Sequence, residues 1–134
     1  MVGKGLGYKS LLSFTLALVL PVTVWAGGIW LRAALEPVRR ADGSSSGTAF
    51  YRESSERRAL AVEVHDISST DLVEVVVGEK SLGFIMLDET GAGSLDLDTD
   101  LGDKVPILTE GAAVLVRDGY EGFRILQGTL ERVR

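Results

Sequence analysis

Four aspartates crowd the stretch Asp96-Leu97-Asp98-Thr99-Asp100-Leu101-Gly102-Asp103, three of them at alternate positions. Calcium is held by roughly six to eight oxygen ligands, and alternating aspartates entering a loop can supply several of these. Asp96, Asp98, Asp100 and Asp103 are therefore the metal candidates of this chain. The run departs from an EF-hand loop at two places: Leu101 stands where the sharp turn needs glycine, and Ile107 where a bidentate glutamate should close the site. A simpler reading makes Asp96 and Asp98 the wet side of a strand whose dry side is Leu95 and Leu97, and it is the preferred one.

Other chemistry-bearing patterns are weaker. Gly43-Ser44-Ser45-Ser46-Gly47 fits the formula of a serine-hydrolase elbow with Ser45 as nucleophile, but it sits in a Ser/Gly-rich loop. The single histidine, His65, lies 20 residues on from Ser45. A hydrolase elbow needs a strained strand-to-helix turn, a base and an orienting acid, none of which this context supplies. With no second histidine and no cysteine, His65 cannot anchor a zinc site of ordinary composition, and it reads as a strand-end residue bonded to Asp66 or to water. Paired carboxylates can hydrolyse glycosides, but only at a defined separation that spacing along the chain does not fix. Trp30, Tyr51, Tyr120 and Phe123 can stack on a sugar or a partner if exposed, and fill a core or its rim otherwise. No residue is assigned a catalytic role and no cofactor is expected, calcium apart.

The elements that must position these residues alternate apolar and polar side chains with a period of two, the pattern of half-buried strands. Ile29, Leu31, Ala33 and Leu35 alternate with Trp30, Arg32, Ala34 and Glu36 up to Pro37, although Leu-Arg-Ala-Ala-Leu-Glu also suits a helix. A flexible loop over 38–46 leads to a strand from Gly47 to Glu53 with Phe50 and Tyr51 on opposite faces. Leu60, Val62 and Val64 line one face of the next strand. A hairpin then joins 72–77 to 82–87 across Gly78-Glu79-Lys80-Ser81, and both arms are so apolar that both faces are expected to be covered. Leu95 and Leu97, Val114 and Val116, and the segment 123–133 complete the set, with the long connection 99–111 between them. The expectation is an all-β fold, an antiparallel β-sandwich or Greek-key barrel of about seven to eight short strands.

Ahead of this domain, Lys4 and Lys9 precede an apolar run from Leu11 to Trp25, and Val24-Trp25-Ala26 offers small residues for cleavage before Gly27. Residues 1–26 read as a signal peptide with its helix, and 27–134 as a single exported β domain in the periplasm or outside the cell. An uncleaved anchor, with the domain tethered at the membrane, is the alternative; contact with a membrane is expected only in that case. The whole chain carries a net charge of −5, and removing residues 1–26 takes away two lysines and no acid. Such a surface disfavours nucleic acid. Cysteine is absent, so disulfides cannot supply the stability that small exported domains often draw from them.

Leu31-Arg32-Ala33-Ala34-Leu35, Ser46-Gly47-Thr48-Ala49-Phe50-Tyr51, Leu60-Ala61-Val62-Glu63-Val64 and the closing Gly128-Thr129-Leu130 follow one another in an order that resembles the chordin-like (CHRD) repeat of exported bacterial proteins. The resemblance spans most of 29–133. It implies an antiparallel sandwich with a binding or structural role. The His-rich strand of that family has no counterpart here, so no metal role is carried over from it. The sequence thus points to a noncatalytic exported module that binds an unidentified protein or an envelope glycan, with weak calcium binding as an addition. A small extracytoplasmic hydrolase using paired carboxylates is the alternative.

Overall fold

The computed structural model describes residues 28–133. The signal peptide read over 1–26, with its helix, lies outside the described residues. Nine strands follow one another: β1 (Ile29–Pro37), β2 (Ser46–Glu53), β3 (Arg58–His65), β4 (Leu72–Val77), β5 (Lys80–Met86), β6 (Gly93–Asp98), β7 (Ala113–Asp118), β8 (Arg124–Thr129) and β9 (Glu131–Arg132). Among the described residues the only helical pieces are two short 3-10 turns, Arg40–Asp42 and Thr99–Leu101, and no helix is long and apolar enough to cross a membrane. The ambiguity at residues 29–37 resolves as strand. Leu31, Ala33 and Leu35 are buried while Arg32, Ala34 and Glu36 are exposed, and tertiary burial of that alternating face outweighs helix propensity.

All pairings are antiparallel, in the order β5-β4-β7-β8-β1-β2-β3-β6, with β9 also on β1. The sheet curls into a nearly closed barrel rather than two separate layers. β8 and β9 keep one register against β1, Gln127 opposite Glu36 and Glu131 opposite Arg32, and so act as one strand interrupted at Leu130. That residue turns inward and is fully buried, while its N–H donates to the Ala112 carbonyl. Two connections skip strands: 66–71 crosses one end of the barrel from β3 to β4, and 99–112 crosses the other from β6 to β7. With β5 beside β6, this is the order of a Greek key.

Inward side chains fill the barrel. Leu31, Leu35, Ala49, Tyr51, Leu60, Val62, Val64, Val73, Val75, Val114, Val116, Ile125 and Leu126 are all essentially inaccessible to water. An eight-stranded barrel is narrow enough for side chains to fill, and here these residues pack together as its core. The β4–β5 hairpin turns on two residues, Gly78 and Glu79, with φ of 57° and 72°. This is tighter than the four-residue turn expected, and its left-handed pair matches the twist of the arms. Leu82 bulges out of register between the pairs Val75–Gly83 and Val76–Ser81.

The two ends of the strand order come together without a hydrogen-bonded ladder. β5 pairs with β4 alone and β6 with β3 alone. The loop between them is closed by the Asp88 N–H to the Ala92 carbonyl at 2.9 Å. Below that turn, side chains bridge the seam: a methyl at Gly83 would touch Leu95, and one at Gly93 would lie 2.5 Å from Ile85. The expectation that both faces of the hairpin are covered is corrected here. β5 is an edge strand whose outer face meets no second layer, and Phe84 is 52% and Met86 79% exposed.

Candidate functional site

The aspartate run divides between a strand and a turn. Asp96 lies on β6 opposite Ala61, on the outer face. Leu95 and Leu97 pack inward against the core, so alternation places Asp96 as the preferred reading expects. Asp98 ends the strand and caps the 3-10 turn Thr99–Leu101, accepting the Asp100 N–H at 2.9 Å. Its own N–H donates to Asp103 Oδ2 at 3.0 Å. The sequence neighbours Asp98, Asp100 and Asp103 thus converge on one turn, and Asp96 stays apart from them.

A cation already sits on two of these three. Arg57, in the turn between β2 and β3, forks onto Asp98 through Nη2 to Oδ2 at 2.6 Å and Nε to Oδ1 at 3.1 Å. It also stands 3.3 Å from Asp100 Oδ2. Bidentate guanidinium pairing of this kind is stronger than a neutral hydrogen bond. Hydrogen bonding from Arg57 holds the Asp98 carboxyl below the usual carboxylate range, which suits a permanent anion and not a proton donor. Desolvation and neighbouring Glu63 raise the Asp96 carboxyl. The residue nevertheless lies exposed on the convex side of the sheet, where water screens it, and it lacks the enclosed setting of a general acid. Among the described residues no group of three or more His, Asp or Glu side chains has the geometry of a metal site.

Ser45 is buried and its hydroxyl donates to the Asp66 carbonyl at 3.0 Å. The Gly43–Gly47 segment runs into strand β2, not into a helix, so the elbow geometry of a serine hydrolase is not formed. The 38–46 loop holds the 3-10 turn Arg40–Asp42, with Asp42 buried and paired to Arg39 at 2.8 Å. His65 stands at the end of β3 as expected, but its partner is Glu63 on the same face, Nε2 to Oε1 at 3.2 Å, instead of Asp66.

The aromatics part company. Tyr51 is a core residue whose hydroxyl donates to Glu53 at 2.6 Å and accepts from the Leu108 N–H. Burial and the Glu53 bond push its phenol up to about 12. Phe123 packs beneath the Arg39 guanidinium at 4.1 Å. Tyr120 is exposed and donates to Asp71 at 2.7 Å. Trp30 and Phe50 meet edge to face on the outside of β1 and β2, centroids 5.9 Å apart, with Arg52 over both rings at 5.1 and 4.9 Å. Such contacts are worth about 0.5–1 kcal/mol each at partly exposed sites.

Sequence reasoning passed over two features. The Trp30–Phe50–Arg52 stack depends on the β1–β2 register, which sets Trp30 opposite Arg52 and Arg32 opposite Phe50. The outer apolar face of the hairpin was in view but read as a covered one. Beside Phe84 and Met86, that face holds Val76, itself buried, paired in register with half-buried Leu115, and the Glu74–Arg117 ion pair at 2.8 Å. Neither a family model nor a curated protein matches the chain.

Proposed function

We propose that this protein is an exported, noncatalytic β module that works by binding through its outer surface. The observation that carries the reading is the uncovered face of β5: Phe84 and Met86 stand in water on a strand hydrogen-bonded along one side only. Exposed apolar side chains on an open strand edge are the features a partner protein or an extended partner segment uses. The filled interior supports the same view, since it leaves the exterior as the binding surface. The leader at 1–26 supports action in the periplasm or outside the cell, and the resemblance to the chordin-like repeat fits a binding role.

Weak calcium binding is a second reading, favoured by the convergence of Asp98, Asp100 and Asp103 on one turn. It requires calcium to displace Arg57. One experiment addresses these readings together: thermal unfolding with millimolar calcium, with chelator and with envelope glycan fragments, alongside turnover of aryl glycosides. A midpoint raised by an envelope component, without turnover, is the expected outcome. A rise with calcium reversed by chelator establishes the metal reading. Turnover lost on substituting a carboxylate replaces the binding reading with the hydrolase alternative.

A further inference from the structure

Four outward positions on neighbouring strands, Trp30 and Arg32 on β1 and Phe50 and Arg52 on β2, form one block. Register sets Trp30 opposite Arg52 and Arg32 opposite Phe50, so rings and guanidinium groups alternate across it. Arg52 is fixed in the block: its guanidinium carbon lies 5.1 Å from the centre of the Trp30 ring and 4.9 Å from that of Phe50, and the two rings brace each other edge to face. An arginine already held on aromatic faces has little freedom left to lose when it meets a ligand.

The chain has 19 acidic residues against 14 basic ones, and Arg39, Arg57, Arg117 and Arg132 all have carboxylate partners. Among the described residues the side chains of Arg32 and Arg52 have neither an ion pair nor a hydrogen bond. Glu131 stands opposite Arg32 on β9 without pairing to it. Burial and the charge of neighbouring Arg57 hold Arg52 below its ordinary value, and an anion bound here offsets both effects.

The ground beside the block restricts which anion fits. On β3, Ala59 stands opposite Arg52 and Ala61 opposite Phe50, small outward residues that leave a shallow shelf. Beyond the shelf Asp98 is taken by Arg57, while Asp96 faces Ala61 from β6, two strand spacings or about 10 Å from Phe50. Glu63 follows Ala61 on the outer face of β3. These two exposed carboxylates repel a densely charged polyanion and accept hydrogens from hydroxyl groups. A ligand that suits both sides has an isolated anionic group on a hydroxyl-bearing, partly apolar frame. We infer that the outer face of β1, β2 and β3 binds an acidic glycan, the carboxylate of a uronic acid residue lying against Arg52 and Arg32 and the C–H face of its ring over Phe50 and the alanine shelf. The site uses other strands than the β5 face and shares with it only the reading of the protein as exported.

Isothermal titration calorimetry of the full chain tests the site, with oligogalacturonate, oligomannuronate, the methyl ester of oligogalacturonate and a thymidine oligonucleotide as probes. The expected result is binding of at least one uronate oligomer, weakened by salt and lost on methyl esterification. Arg52→Gln should weaken it by about tenfold or more, since hydrogen bonds between a guanidinium and a carboxylate are among the stronger ones. Arg52→Lys should not restore it, because an ammonium lacks the planar fork. Circular dichroism establishes that these variants are folded, and Arg32→Gln, outside the ring stack, gives a second reading should they not be. The Phe84→Ser/Met86→Ser variant should bind uronate as the parent does. Absence of uronate binding, equal binding of the methyl ester, or unchanged affinity in the arginine variants overturns the site and leaves binding through β5 intact. Tighter binding of the oligonucleotide overturns the glycan assignment, and loss of uronate binding in the Phe84→Ser/Met86→Ser variant overturns its placement on β1–β3.

Discussion

Arg57 and Asp98 lie 41 residues apart in the chain and meet as a bidentate pair, each side chain about one-fifth exposed. Partial exposure screens the pair, so its contribution is about 1 kcal/mol. Its pH dependence has a definite sign. The carboxyl of Asp98 is held below its ordinary 3.8 by Arg57, so the stabilisation is complete above that ordinary value and is lost as pH falls through the lower folded one. Asp98→Asn is expected to lower stability in urea by about 1 kcal/mol at pH 7. It should also flatten the decline of stability below pH 4, because the unfolded state no longer gains a proton at this position. Urea midpoints at pH 7 and pH 3 check both effects, and an unchanged acid limb removes the pair from the account. The pairing was not legible beforehand, because nothing in Arg57 or Asp98 alone indicates that β3 will pair with β6 and set Ala59 opposite Asp98.

The loop from β5 to β6 shows how an element can hang on one residue. Gly91 adopts φ of 80°, and a methyl on it would lie 2.1 Å from the Ile67 carbonyl oxygen and 2.7 Å from the Ile67 nitrogen. The Ile67 N–H bonds to the Gly91 carbonyl at 3.1 Å, so the β3–β4 crossover is fastened there to the top of the seam. Gly91→Ala combines a left-handed backbone with a backbone clash, and about 3 kcal/mol of stability should be lost. Gly78→Ala offers the contrast: φ is 57° and nothing lies within 4 Å, so it should cost only the roughly 1–2 kcal/mol of the left-handed conformation. Denaturant unfolding of the two variants checks the difference, and equal losses would mean that the Gly91–Ile67 contact carries nothing.

Period-two alternation made most strands legible at this scale, since Leu31, Leu60, Val62, Val64, Leu95 and Leu97 face inward as their spacing indicates. The hairpin was misread in one respect for a physical reason. Apolar residues on both sides of a strand indicate that both faces favour cover, but not that the same chain supplies it. Val73, Val75 and Ile85 are covered by the barrel's own interior, whereas Phe84 and Met86 face water. The aspartates were legible as a strand edge and a turn, while their engagement with Arg57 required the register of β3 against β6.

On the scale of the whole molecule, the barrel separates two sets of apolar residues. One set makes the fold; the other, at Phe84 and Met86 and at Leu101 and Ile107, faces water. A curled sheet that closes upon itself buries one face only, so outward apolar residues contribute little to folding. The unladdered seam between β5 and β6 lies beside the first of these patches.

Thermal unfolding of the Phe84→Ser/Met86→Ser double variant, compared with Leu60→Ala, tests this division most directly. Leu60 is a fully buried interior residue, and its truncation should cost about 2–5 kcal/mol, or roughly 10 °C or more in midpoint. Substitutions free of buried contacts stay within about 0.5 kcal/mol each, so the double variant is predicted to unfold within a few degrees of the parent. A fall in the double variant as large as that of Leu60→Ala would contradict the account, because Phe84 and Met86 would then be holding the fold together rather than standing in water.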